Sequence, residues 1–216
     1  MRNNIERARD IVPALMLTVL SMIQALALEM YWSRLGESAF LWMGGWEAII
    51  GWMQVVAIFL GILLIWVLYV SFVLRFTWLP TLEDTLVPFV IGVVEFAMID
   101  RLDPHLLGQW MLLMGGVFAL ATLTAHTTMR RARQEPENAY FFDKVEPAGW
   151  SDYLRSILLV GAMWLFGITL WIVGFQPYLA LVALVFALVA LGFQYIQARK
   201  YWMHSLVREG DTSPKE

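Results

Sequence analysis

Apolar and polar positions along the chain are not mixed evenly. Six apolar stretches, at about residues 11–28, 49–74, 85–99, 106–125, 157–175 and 178–196, are separated by short polar connectors. An α-helix rises about 1.5 Å per residue and a bilayer's hydrocarbon core is about 30 Å thick, so blocks near twenty residues are the length a membrane crossing requires. The pattern predicts an all-α, polytopic transmembrane helical bundle of six spans. It forms one domain over residues 1–207, followed by a polar tail at 208–216 expected to be disordered. The second span is longer than needed, which predicts tilt or an interfacial first turn. The third is the shortest, and Asp84 and Asp100 bracket it. Fifteen apolar residues cover only about 22 Å, so this span must borrow flanking residues, thin the bilayer or sit inside the protein.

The basic residues orient the bundle. With the N-terminus inside, thirteen of the 15 Lys and Arg residues fall on the cytoplasmic side, and only Arg34 and Arg101 fall outside. That asymmetry is the positive-inside rule, and one span more or fewer would destroy it. Both termini are therefore expected to be cytoplasmic, in an inner (plasma) membrane. Aromatic residues mark the expected interfaces: Tyr31, Trp32, Trp42, Trp46 and Trp110 outside, and Phe76, Trp78, Trp150, Tyr153, Tyr201 and Trp202 inside. Arg2, Arg7 and Arg9 before an apolar run, with Ala25-Leu26-Ala27 after it, also fit a cleaved signal peptide. The run continues through Leu28, which favours a retained first span.

Composition agrees with the pattern and narrows the chemistry. Of 216 residues, 60% are hydrophobic and 15% charged, which excludes a disordered, collagen-like or ordinary water-soluble chain. The absence of cysteine removes disulfide frameworks, thiol nucleophiles and cysteine-containing zinc sites. His105, His126 and His204 lie in three different segments, against paired-histidine haem ligation. No H-E-x-x-H, G-x-S-x-G, glycine-rich phosphate loop, Thr-Val-Gly-Tyr-Gly filter or voltage-sensing arginine ladder occurs. No catalytic residue, metal site, cofactor or nucleic-acid partner is nominated.

Small and polar residues in a span should face protein rather than lipid. At 100° per residue, Thr18, Ser21, Ala25 and Glu29 share a face of the first span, as do Asp84, Pro88, Gly92 and Glu95 of the third. The second carries Gln54, Gly61 and Ser71. The fourth carries Gly108, Gly115, Ala119, Thr122 and His126. Ala180, Ala183, Ala187 and Ala190 make a close-packing seam on the sixth. One reading has the first four spans surrounding a polar site or path, with the last two buttressing it. The other takes the small residues as packing surface alone.

Ionisable residues sharpen the choice. Glu95 lies within the third apolar stretch, where an ionised carboxylate is costly and must be protonated, paired or wetted. It is the candidate ion or proton group, with Glu29 and Gln24 beside it; a hydrogen bond to Gln24 or Thr18 is the purely structural alternative. Asp100, Asp103 and His105 form a candidate outer cation vestibule, unless Asp103 and Pro104 simply begin the fourth helix. His126, at the inner end of the fourth span, is a candidate pH sensor. Two connectors are candidate docking segments for a membrane-complex partner or a second copy in a homo-oligomer. These are the apolar outer segment 30–48 and the inner segment 127–154, with its Tyr140-Phe141-Phe142 cluster.

The reading that follows is a small multi-pass channel or transporter for protons, cations or a small solute. The alternatives are a non-transporting membrane subunit (assembly factor, anchor or effector of a larger complex) and a lipid-modifying membrane enzyme.

Overall fold

The structure is a computed structural model, and it describes residues 4–79, 81–143, 147 and 149–206. The expected tail at 208–216 lies outside the described residues. Those residues form helices throughout, with no strand among them: α1 (Asn4–Glu37), α2 (Gly45–Arg75), α3 (Leu82–Asp100), α4 (Leu107–Ala132), the one-turn α5 (Ala139–Phe142), α6 (Trp150–Val173) and α7 (Pro177–Leu206). Short 3-10 turns lie at Ala39–Trp42, Pro104–Leu106 and Pro136–Asn138.

Among the described residues, five helices (α1, α2, α4, α6 and α7) are long and apolar enough to cross a membrane. The sixth long helix, α3, differs in composition more than in length. Its 19 residues extend about 28 Å, but they include Glu83, Asp84, Glu95 and Asp100. Every long helix except α4 begins before its apolar block, and all but α6 run beyond it. The hydrogen-bond ladder does not stop where hydropathy falls; it stops at breakers. Gly44 and Gly45 adopt φ of 78° and 79° between α1 and α2, and Gly174 adopts 82° between α6 and α7. Asp103 caps the turn before α4, its Oδ1 accepting the His105 N–H at 2.7 Å, with Pro104 in the first turn.

Consecutive long helices run in opposite directions. Tyr31 Oη donates to the Val55 carbonyl and Trp66 Nε1 to Ser21 Oγ, which sets α1 antiparallel to α2. The Arg9–Glu135 and Arg131–Asp84 ion pairs gather the start of α1, the start of α3 and the end of α4 at one arginine-rich end. His105 on Phe175 and Trp46 on Tyr178 gather the opposite turns.

Sequence neighbours are not the main packing partners. The most extensive contacts are α4 along α6, α2 along α7, and α1 along α3, whereas α6 and α7 touch each other only sparingly. The alanine stripe of α7 is fully buried at Ala180, Ala183 and Ala187, as expected of a seam, and α2 is its chief neighbour. The glycine stripe of α4 turns out to face α6 and not a path among the first four helices. A Cβ on Gly108 would lie 2.5 Å from the Trp171 backbone nitrogen, and one on Gly167 would lie 3.0 Å from the Gly108 carbonyl. Backbones this close need glycine on both sides.

Both candidate docking connectors are partly packed against the fold. Most of residues 30–48 is helix, and the short 3-10 turn lays Phe40 and Leu41 against Gly51. In the 127–154 segment, Phe142 is buried and Phe141 packs beside it in a second hydrophobic cluster with Phe76, Trp78 and Ala132. Asn138, 2% exposed, ties that cluster down by donating to the Thr77 and Ala132 carbonyls and accepting from the Thr77 N–H. Trp110, Phe76 and Trp78, expected as interfacial aromatics, are instead core residues. The rings pack against apolar neighbours within the chain, and that burial outweighs the headgroup preference.

The α4–α6 contact yields a direct test. Gly108→Ala should destabilise the protein by about 1–3 kcal/mol, the usual cost of overpacking. Gly116→Ala, whose added methyl meets nothing within 4 Å, should be near neutral. Thermal unfolding in detergent, comparing both with wild type, measures the difference.

Candidate functional site

The buried face of α1 carries Pro13, Met16, Leu20, Gln24 and Ala27, in the three-and-four spacing of a helix. That of α3 carries Asp84, Pro88, Ile91, Gly92, Glu95, Met98 and Ile99. Where the faces meet, Ile23 fills the space over Gly92 that a side chain there would need. This close approach brings Gln24 to Glu95. The Gln24 amide nitrogen donates to both carboxylate oxygens, at 3.2 Å to Oε1 and 2.9 Å to Oε2. The two side chains are 4% and 5% exposed, and the Gln24 amide oxygen is buried with no hydrogen-bond partner.

Glu95 also borders a cavity of about 20 Å³, room for roughly one water. Ala57, Ile58, Gly61, Ile62 and Ile65 of α2 line it, with Met98 of α3 and Met114 and Val117 of α4. All are apolar. Among the described residues, no cationic side chain pairs with Glu95.

The other sequence candidates do not gather here. Glu29 is exposed, on a different side of α1 from Gln24. The Thr18–Ser21–Ala25–Glu29 face expected to point inward points largely outward. Its hydroxyls need no neighbouring helix, because Thr18 donates to the Ala14 carbonyl and Ser21 to that of Leu17 within their own helix. Thr18 therefore offers Glu95 nothing, and Gln24 is the partner.

The Asp100–Asp103–His105 group does not converge on a common point. Asp103 is occupied as a cap. The Asp100 side chain is 67% exposed and lies 3.7 Å from Arg101. His105 turns its Nε2 toward Glu47 at 3.4 Å and its ring face toward Phe175. His126 stacks on Tyr153 of α6, ring centroids 4.4 Å apart, as part of the α4–α6 contact. Among the described residues, no three His, Asp or Glu side chains gather in a way that could hold a metal ion.

One cluster escaped the sequence reading. Asp84, expected to bracket the third span and to share the inward face of Glu95 but given no partner, is 7% exposed and serves two helices at once. Its carboxylate accepts from the Thr81 N–H at 2.9 Å, completing a capping box at the start of α3, and pairs with Arg131 near the end of α4. Arg131 also donates to Thr81 Oγ1 at 2.9 Å. Asp84 followed by Pro88 at the head of an apolar run does signal a helix start. Nothing local signals a partner 47 residues away. Buried polar atoms without partners form a further group that sequence did not flag: both amide atoms of Gln54, the Tyr69 hydroxyl, and the indole nitrogens of Trp78 and Trp110.

No protein-family model, curated protein or solved structure matches this chain.

Two substitutions separate the two polar contacts. Asp84→Ala removes cap and ion pair together and strands a half-exposed arginine. It should cost about 1–3 kcal/mol, and Asp84→Asn, which still accepts the cap bond, should cost less. Gln24→Leu should cost about 0.6–2 kcal/mol, the span seen for interhelical hydrogen bonds in membrane proteins and model helices. Unfolding in detergent, with all three variants side by side, gives the order.

Proposed function

We propose that this chain is a small multi-pass transporter of the inner membrane, working as a carrier with Glu95 as its ion-accepting group. The observation that carries this reading is the buried carboxylate itself. It lies within the apolar stretch of α3, little more than one turn from the helix end, answered by one neutral amide and bordered by a cavity that holds about one water. Acidic groups at such depth are expensive, and they are retained where an ion must be held and released. A wide aqueous path beside Glu95 is not part of the proposal. The apolar lining fits an occluded state, in which access comes from helix movement, better than an open channel.

The proposal includes the orientation read from the arginines, with six spans, α3 among them, and both termini cytoplasmic. The chain has no cysteine, so single introduced cysteines report sides without background. Glu37→Cys should react with a membrane-impermeant maleimide in intact cells, and Asp143→Cys only after permeabilisation. The reverse pattern would invert the bundle.

Flux is the functional test. Purified protein in proteoliposomes should dissipate an imposed proton or cation gradient, and Glu95→Gln should reduce the rate at least tenfold while leaving the detergent-purified fold intact. An unaffected rate in the variant removes Glu95 from the mechanism.

A second reading, a non-transporting membrane subunit, is favoured by one specific observation. The α4–α6 and α2–α7 seams bring glycine and alanine faces into direct contact. Such seams suit a rigid scaffold. A stoichiometric partner after mild solubilisation, together with no flux for any ion tried, is the outcome that selects it. For a lipid-modifying enzyme no arrangement of carboxylates and imidazoles among the described residues offers support.

A further inference from the structure

The hydrogen-bond inventory at Glu95 is unbalanced in one respect. The Gln24 amide spends its nitrogen on both carboxylate oxygens, while its own oxygen, equally buried, accepts nothing. An ionised carboxylate can only accept, so it can never satisfy that oxygen. A protonated one can. Its O–H donates to the amide oxygen, while its carbonyl oxygen accepts from the amide nitrogen. Acid and amide then close a ring of two hydrogen bonds, reached by a small rotation of the Gln24 amide about its terminal torsion. Every polar atom of the pair is then served.

We infer that Glu95 and Gln24 form a proton-binding site, in which Gln24 is a positioning residue whose amide turns to accept the carboxyl proton. This deepens the transport reading by naming the ion as a proton, and it rests on that reading only for what the proton is used for. The surroundings favour a proton over a metal cation. Ca²⁺, for comparison, takes six to eight oxygen ligands. Here α2 and α4 turn only alkyl and thioether groups to the cavity, α1 contributes the neutral Gln24, and α3 adds Met98. Asp84 and Asp100 stand eleven and five residues from Glu95 along α3, and each is engaged elsewhere or exposed. Protonation is a simple transfer. A hydronium ion reaching the cavity gives its proton to a carboxylate oxygen and remains as water; release is the reverse.

Infrared spectroscopy of the full-length protein in lipid reads the site directly, without requiring transport. The expected result at neutral pH is a carboxylic C=O band that shifts on exchange into D₂O and is missing in Glu95→Gln. In Glu95→Asp, which keeps the acid and guards against a folding failure of the first variant, the band should persist at a changed frequency. In Gln24→Leu it should move to higher frequency, as expected of a carbonyl that has lost its amide donor. A wild-type spectrum identical to that of Glu95→Gln in the carboxylic region at neutral pH overturns the inference, and so does a Gln24→Leu band that does not move.

The outcomes separate this inference from the transport reading. A carboxylic band without flux leaves the proton site standing and removes the carrier. Flux that depends on Glu95 without the band keeps the carrier and assigns it a different ion.

Discussion

A hydrocarbon interior offers no solvent to complete a polar group's hydrogen bonds, so a polar atom placed there is costly unless it finds a partner in the protein. The contact between Gln24 and Glu95 is the sharpest instance. It joins α1 to α3, decides which face of α1 turns inward, and requires Gly92 to be small enough for Ile23 to settle over it. The same constraint operates at the arginine-rich end, where Asp84 must be answered and Arg131 of α4 answers it. The two contacts lie near opposite ends of one buried stripe on α3. Together they fix α3 between its neighbours and account for the two acidic residues on its buried face.

The remaining helices are held by shape rather than by polar chemistry. Glycine meets glycine between α4 and α6, and alanine lines the face of α7 that meets α2. Lipid tails are as apolar as leucine, so close backbone approach, and not removal of oil from water, is what these seams contribute. The aromatic cluster of Phe76, Trp78 and Phe142 follows a different rule. It sits at an end of the bundle, under the connector before α6, where the segment is anchored by buried Asn138.

Much of this was legible in the sequence. The hydropathy blocks located all six long helices, the α3 stripe from Asp84 to Glu95 was assigned to the buried face, and the α7 alanines were assigned to packing. What failed did so for identifiable reasons. Thr18 and Ser21 gave α1 a polar stripe that is not an inward one, since a hydroxyl bonded to the carbonyl one turn back is already satisfied in lipid. Gly108 and Gly115 marked a face of α4 correctly, but periodicity names the face and not the neighbour. The Asp84–Arg131 pair, the core position of Trp110 and the inward turn of Phe142 depend on segments far apart in the chain, and no local period encodes them. Glu95 stood out because a charge in an apolar run is conspicuous wherever it falls; the unpaired amide of Gln54 on α2 did not.

The sparse contact between α6 and α7 has a mechanical corollary. These two helices form a hairpin turning at Gly174, yet one leg lies along α4 and the other along α2, and α2 and α4 have little direct contact with each other across the void at Glu95. Each leg is thus held by its own wall of that void more than by the other leg. On this side of the bundle the two walls are joined through the turn at residue 174 and the few contacts between the legs, while α1 and α3 join them on the other.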